Sequence, residues 1–326
     1  MRMVHVDTAV EWRGGQVLLY RLLREFHAAG LDVWLAAPPT GRLWGMASFL
    51  GEKRLAIPRG WSLKTPWRIH QIEPDLVVAH TSHGHGSCLP LRTPLVVHRW
   101  VDFPPSGGFK YRRPDGWVAC SNAIVDLLKD VGARNIHRVY GGADPLSDAL
   151  PAGDGPDVLA VGSLVHHKGH DVLDAALGLL PVIDAGVAGG GIGNFERLRV
   201  LGEREDIPAL LAKARVFVQP SRTEGLGMAV VEAMLAGVPV IASAVGGIPE
   251  VVGDTALLVP PEDPVALAAA LQQVFAGEHP DLELARARAR EMFSTDSMVE
   301  GTLNAYREIL TSRSIRMRDI RSPGSN

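Results

Sequence analysis

Two glutamates, Glu224 and Glu232, stand eight residues apart around a glycine-rich turn, Gly225-Leu226-Gly227. An apolar run at 216–218 precedes them, residues 219–223 read Gln-Pro-Ser-Arg-Thr, and 228–236 continue as an apolar helix former. Strand, glycine turn and helix in that order bring backbone N–H groups close to an anion, and the helix dipole adds to the attraction. Carboxylates in turn accept hydrogen bonds from hydroxyls. Phosphate held by amides and hydroxyls held by carboxylates is the chemistry of a nucleotide-sugar. Glycosidases also use two carboxylates, but a retaining pair stands ~5 Å apart, whereas eight residues of helix advance ~12 Å. Glu224 and Glu232 therefore suit opposite ends of one ligand better than two flanks of one bond. The arrangement recurs downstream, where 237–243 (Gly-Val-Pro-Val-Ile-Ala-Ser) leads into Gly246-Gly247-Ile248-Pro249-Glu250.

Holding such a turn in place calls for a parallel sheet, and alternating strands and helices predict one. Strands are expected at 3–6, 31–37, 76–79, 95–98, 117–119 and 136–140, with helices at 16–28 and 122–130, the latter N-capped by Ser121. The first strand and helix are joined through Trp12-Arg13-Gly14-Gly15-Gln16, another glycine turn. Residues 141–156, rich in Gly, Pro and Asp, interrupt the pattern. A second strand series follows at 158–161, 182–187, 199–201, 216–218, 240–242 and 257–259, with helices at 264–275 and about 296–310. The expected fold class is α/β with two Rossmann-like domains, 1–145 and 157–295. A linker at 146–156, a terminal helix at 296–313 and a disordered tail at 314–326 complete the plan.

A chain of 326 residues, 46% hydrophobic and 21% charged, has the makings of two soluble globular domains. It lacks an apolar run of ~18 residues. Its first residues go straight into a strand, and its cysteines are two, Cys88 and Cys120. A cytoplasmic location is the expectation. The net charge of −3 conceals an asymmetry. Residues 1–150 carry 18 Lys+Arg against 13 Asp+Glu and all seven tryptophans, while the remainder carries 15 against 23. A basic, tryptophan-bearing half suits an anionic acceptor or a membrane surface. Within it, 42–67 interleaves Arg42, Lys53, Arg54, Arg59 and Lys64 with Trp44, Phe49, Trp61 and Trp67. Two readings stay open there: contact with an anionic membrane, or a solvated loop with its tryptophans turned inward. No nucleic acid partner is expected. His80, His83 and His85 are ligand types for a metal, but no carboxylate or cysteine accompanies them. The expectation is a wall on the acceptor side, and no metal.

Pro220-Ser221, then Glu224-x7-Glu232, then 236–242 (Ala-Gly-Val-Pro-Val-Ile-Ala), then 246–250 form an ordered set. That set resembles the retaining glycosyltransferases of family 4, most densely from 157 to 275. The resemblance implies a GT-B fold, two Rossmann-like domains facing across a cleft, with the terminal helix crossing back to the first. It implies transfer of a sugar from a nucleoside-diphosphate sugar to a hydroxyl of a glycan or glycolipid. No cofactor beyond that donor substrate, no metal and no protein nucleophile are implied.

By the same resemblance, Glu232 binds the donor ribose, and Glu224 lies by the donor sugar or its phosphates. Gly225, Leu226 and Gly227 offer amides, although the family usually has an aromatic where Leu226 stands. Lys168 in 161–169 matches the family's phosphate-binding lysine. Ser163 stands where arginine is common, so one expected charge is missing. Arg222, Arg99 and the amides of Gly14-Gly15 are the candidates to supply it. Gly14 and Gly15 match the loop that closes on the donor phosphates, and His98 matches a histidine beside the reacting sugar. The catalytic set is then His98, Glu224 and Lys168, with His83 and Arg99 on the acceptor side. Two other readings remain: a sugar-nucleotide epimerase on the same plan, and a non-catalytic nucleotide-sugar-binding homologue, which Ser163 favours.

Overall fold

The computed structural model describes residues 1–103, 108–145 and 155–321, the stretch 315–321 by its backbone alone. The chain forms two compact units, Met1–Gly142 with Thr295–Asn326, and Ala143–Ser294. The linker expected at 146–156 lies outside the described residues except for 155 and 156.

Unit 1 runs β1 (Arg2–Val6), α1 (Gly14–Ala28), β2 (Asp32–Ala37), α2 (Arg42–Met46), a 3-10 segment (Ala47–Lys53) and β3 (Arg54–Ala56). It continues α3 (Lys64–His70), β4 (Leu76–Ala79), α4 (Ser82–Cys88), β5 (Leu95–Arg99), α5 (Gly108–Arg112), β6 (Gly116–Ala119), α6 (Asn122–Asp130) and β7 (Ile136–Arg138). The strands pair in the order β3-β2-β1-β4-β5-β6-β7, all parallel. β4 and β6 are buried throughout, and β1 and β5 at all but one end. A parallel sheet covered on both faces has this property, which is why these strands read as unbroken apolar runs. On α1, Leu18, Leu19, Leu22, Leu23 and Phe26 are buried, the stripe expected of a helix facing a sheet. Ser121 caps α6 by accepting from the Ile124 amide.

Unit 2 runs β8 (Val158–Val161), a 3-10 turn (His166–Lys168), α7 (His170–Gly178), β9 (Ala185–Ala188), β10 (Arg199–Gly202) and α8 (Ile207–Leu211). Then come β11 (Val216–Gln219), α9 (Met228–Ala236), β12 (Val240–Ser243), α10 (Ile248–Val252), β13 (Leu257–Val259), α11 (Pro264–Phe275) and α12 (Leu282–Met292). Its sheet order is β10-β9-β8-β11-β12-β13, again parallel. β9 starts at Ala185 rather than at the expected 182, because Val182 is 86% exposed and outside the sheet. α9 is apolar apart from Glu232 and is packed by α8, α10 and α12 as well as by β11 and β12. A helix apolar on nearly every side must be buried in this way.

The last helix, α13 (Thr295–Arg321), returns to unit 1 and packs on α1 and β6. Gly116 permits the approach, since a Cβ there would stand 2.5 Å from the Ile309 side chain. Arg313 then pairs with Asp115 at 2.6 Å. The backbone of α13 is helical through Arg321, so 314–321 is helix where a disordered tail is the sequence expectation. Residues 322–326 lie outside the described residues.

In each sheet the chain order reverses at one place, between β1 and β4 in unit 1 and between β8 and β11 in unit 2. Open parallel sheets bind ligands beyond the carboxyl ends of their strands at such points. The loops there are 7–13 and 80–81 in unit 1, and 162–169 and 220–227 in unit 2.

Candidate active site

In unit 2 the two loops at the reversal point are locked together. The Arg222 amide donates to the His167 carbonyl at 2.8 Å. Gly169 sits at φ +69°, and any Cβ there would overlap the Pro220 carbonyl oxygen. Across this junction Lys168 Nζ reaches Glu224 Oε2 at 2.6 Å, and the Ser221 hydroxyl donates to the same oxygen at 3.2 Å. Lys168 and Glu224 are 20% and 14% exposed, so this pair is largely withdrawn from water. Glu224 is fixed from behind as well, because the Gly247 amide donates to its carbonyl at 3.2 Å. Gly246, at φ +53°, leaves no room there for a side chain. The downstream Gly-Gly-Ile-Pro-Glu motif thus braces the first.

Gly227, at φ +97°, forms the N-cap of α9, and Leu226 is 3% exposed and packs into the core. What the turn offers a ligand is therefore backbone, and the first amides of α9 have no partner within the helix. Glu232 sits half-buried on α9, about two turns further on. Ser163 lies on the opposite loop, where the Val165 amide donates to its carbonyl at 2.8 Å. Arg222 is not free to replace the charge absent at Ser163. Its guanidinium holds both oxygens of Asp171 at 2.8 Å, Glu262 at 2.8 Å and the His166 carbonyl at 2.7 Å. It thereby keeps the Asp171 carboxyl below the usual carboxylate range. Residues 189–191 adjoin the 162–169 loop as well. There a Cβ on Gly189 would overlap the Gly162 carbonyl, and the Leu164 amide donates to Gly190 at 2.8 Å. Their signal in the sequence is three consecutive glycines directly after a strand.

In unit 1, α1 opens at Gly14. The Arg13 amide donates to Gln16 Oε1 at 3.2 Å, and Gln16 Nε2 donates to Asp7 Oδ2 at 2.9 Å. Burial raises the Asp7 pKa. Neither Asp7 nor Gln16 stood out in the sequence. A Cβ on Gly15 would meet the Trp100 indole at 3.2 Å, so this glycine admits an aromatic ring to the helix N-terminus. Beside Trp100 lies His98, 2% exposed at the end of β5, with Nε2 2.7 Å from the Tyr306 hydroxyl. His80 and His5 complete a buried cluster, His80 Nε2 standing 2.9 Å from His5 Nδ1. Burial holds all three imidazoles neutral, lowering the pKa of His5 to about 3 and those of His80 and His98 well below the usual value.

The other histidines of the 80–85 group diverge. His85 is buried edge-on against Trp117, and His83 is exposed on α4, away from the cluster. Among the described residues no three His, Cys, Asp or Glu side chains gather as a metal site would require. Arg99 is engaged with Tyr111 at 3.4 Å and with the Phe103 carbonyl. The 42–67 segment divides. Trp44 lies under Arg54, its centroid 4.9 Å away, and Phe49 packs on Tyr20 and His27. Trp61, Leu63 and Trp67 are 57%, 70% and 63% exposed beside Lys64 and Arg68. No helix among the described residues is long and apolar enough to cross a membrane.

Two family models match in tandem: Glycosyltransferase Family 4 over residues 12–145 and Glycosyl transferases group 1 over 155–276. The chain belongs to this glycosyltransferase family. The matched segments take in both reversal-point loops of unit 2 and, in unit 1, residues 12–13 and 80–81. Among curated relatives of this family member, the O-antigen chain mannosyltransferase B of Escherichia coli is 43% identical over 105 residues, 32% of this chain and 28% of that one. A D-inositol 3-phosphate glycosyltransferase of Streptomyces coelicolor is 37% identical over 213 residues, 64% of this chain and 40% of its own. The chain thus spans well under half the length of these two. The lipopolysaccharide core biosynthesis glycosyltransferase LpsE of Rhizobium meliloti is 25% identical over 287 residues, with 81% and 82% covered. Among solved structures, Anabaena HepE in complex with UDP and glucose superposes with a TM-score of 0.79 at 20% identity, covering 94% of this chain and 99% of that one. That likeness establishes the fold, two parallel-sheet α/β domains of GT-B type.

Proposed function

We propose that this chain transfers a sugar from a nucleoside-diphosphate sugar to a hydroxyl of a glycan or glycolipid, with retention at the anomeric carbon. The observation that carries the reading is the Lys168–Glu224 pair, 2.6 Å apart beside the Gly225–Gly227 turn at the reversal point of unit 2. When the bond between the anomeric carbon and the diphosphate breaks, negative charge develops on the departing oxygen. Lys168 and the amides at the start of α9 supply fixed positive charge for it. Glu224 and Glu232 accept hydrogen bonds from sugar and ribose hydroxyls. The acceptor oxygen takes the same face the diphosphate leaves, and its proton passes to that diphosphate. On this reading lysine and amides, rather than a metal, meet the charge, and a chelator should leave the rate unchanged.

Relatives named for O-antigen and lipopolysaccharide core assembly support a surface glycan or glycolipid acceptor. For a glycolipid, Trp61, Leu63 and Trp67 with Lys64 and Arg68 form the contact with an anionic membrane, narrower than 42–67 as a whole. Tryptophan and basic side chains together favour that interface. Such an enzyme works at the cytoplasmic face. The alternative, a homologue that binds nucleotide-sugar without transferring it, is favoured by Ser163 and by the commitment of Arg222 to Asp171 and Glu262. The test is transfer of radiolabel from UDP-glucose or GDP-mannose to a lipopolysaccharide core or glycolipid, with product configuration read by NMR. Label in an α-linked product supports the proposal. Donor binding without transfer supports the alternative.

A further inference from the structure

His98 is held by a set of residues that its own motif does not announce. Tyr306 comes from α13, 208 positions away in sequence, and is fully buried with its hydroxyl 2.7 Å from His98 Nε2. Burial keeps that phenol protonated. A buried phenolic O–H donates to an acceptor where one is within reach, and His98 Nε2 is the acceptor here. The proton of the neutral imidazole is then on Nδ1. That atom is buried and has no hydrogen-bond partner among the described residues. Below it the tautomers are set in the same way. The Trp100 indole N–H is a donor only, so His80 Nδ1, 3.4 Å away, accepts. His80 Nε2 therefore carries its proton and donates to His5 Nδ1. The His80 and Trp100 rings pack against His98, their centroids 4.7 and 4.9 Å from its own. His98 is the last residue but one of β5, next to the reversal-point strand β4.

We propose that Tyr306 is a positioning residue: it occupies His98 Nε2 and so presents Nδ1–H as a fixed donor to a substrate hydroxyl. His80 and Trp100 hold the ring in plane for that purpose. The proposal rests on the sugar-transfer reading above, because it needs a sugar as the acceptor of that hydrogen bond. Its structural part stands independently of it.

Two arms test it. In 15N-labelled protein, the imidazole spectrum of His98, assigned with His98→Gln, should show one neutral tautomer protonated at Nδ1. In Tyr306→Phe that single tautomer should be lost while the His5 and His80 signals persist. Wild type protonated at Nε2, or an unchanged spectrum in Tyr306→Phe, overturns the proposal. In the second arm, affinities for UDP and UDP-glucose, and for GDP and GDP-mannose, are compared. Tyr306→Phe should weaken the sugar conjugate about fivefold, the worth of one neutral hydrogen bond. It should leave the bare nucleotide unaffected, which also reports an intact fold. Adding Tyr306→Phe to His98→Gln should cost nothing further. Equal losses for nucleotide and conjugate, or additive losses in the double variant, overturn the positioning role. A wild type that binds none of the four overturns the transfer reading, and the spectrum then decides the Tyr306 claim.

Discussion

Lys168 and Glu224 hold one another at 2.6 Å, and a diphosphate arriving at this lysine must compete with the carboxylate. Lys168→Met should weaken nucleoside-diphosphate binding by about 1.5–3 kcal/mol, the range for a hydrogen bond to a charged group. Isothermal titration checks it. Glu224→Gln should leave nucleotide affinity equal or tighter, by releasing Lys168, while sugar transfer falls. A loss of nucleotide affinity in Glu224→Gln would mean that the pair is a structural tie alone. At this scale the unit 2 site was legible because its glycines and carboxylates are close in sequence. The histidine cluster was not, because His5, His80 and Tyr306 come from three separate elements. Nor does spacing reveal that Arg222 spends its charge on Asp171 and Glu262.

The loops and helices that carry these residues rely on glycines where chains touch. Gly169→Ala places a Cβ on the Pro220 carbonyl at φ +69° and should destabilise unit 2 by more than about 1 kcal/mol. Hydrogen exchange should quicken first in 162–169. Gly116→Ala presses on Ile309 and should cost about 1–3 kcal/mol by overpacking, read as a lower urea midpoint for unit 1. Unchanged midpoints would show that α13 and the loops shift freely to accommodate the methyl. The buried parallel strands were readable as apolar runs. β3 was not, since none of its three residues is fully buried. α12 was missed because only Ala285 and Ala289 of its arginine-rich sequence are buried, and its packing on α9 is a tertiary effect.

For the whole molecule, buried neutral histidines make stability depend on pH. His5, His80, His85 and His98 in unit 1 all have pKa values lowered by burial, His5 and His85 to about 3. Below the ordinary histidine value of 6.5 the unfolded chain takes up protons that the folded unit refuses. Stability therefore falls as pH drops from about 6.5, by up to about 1.4 kcal/mol per histidine per pH unit. Asp7, raised by burial, acts in the opposite sense as pH falls through its folded pKa toward 3.8. All seven tryptophans lie in unit 1, so their fluorescence reports its unfolding alone. The urea midpoint by fluorescence should be markedly lower at pH 5 than at pH 7.5, and His85→Phe should reduce the difference. A flat profile would contradict burial of these rings.

The measurement closest to the central claim is a thermal-shift panel of UDP, GDP, ADP and TDP on wild type and on Glu232→Ala. At a hundredfold excess over the dissociation constant, binding should stabilise the fold by about 2.7 kcal/mol, a rise of several degrees. One nucleotide should produce that rise in wild type, and Glu232→Ala should abolish it while melting normally unliganded. No shift with any nucleotide, or an equal shift in the variant, would contradict a donor site built on the Glu224–Glu232 turn.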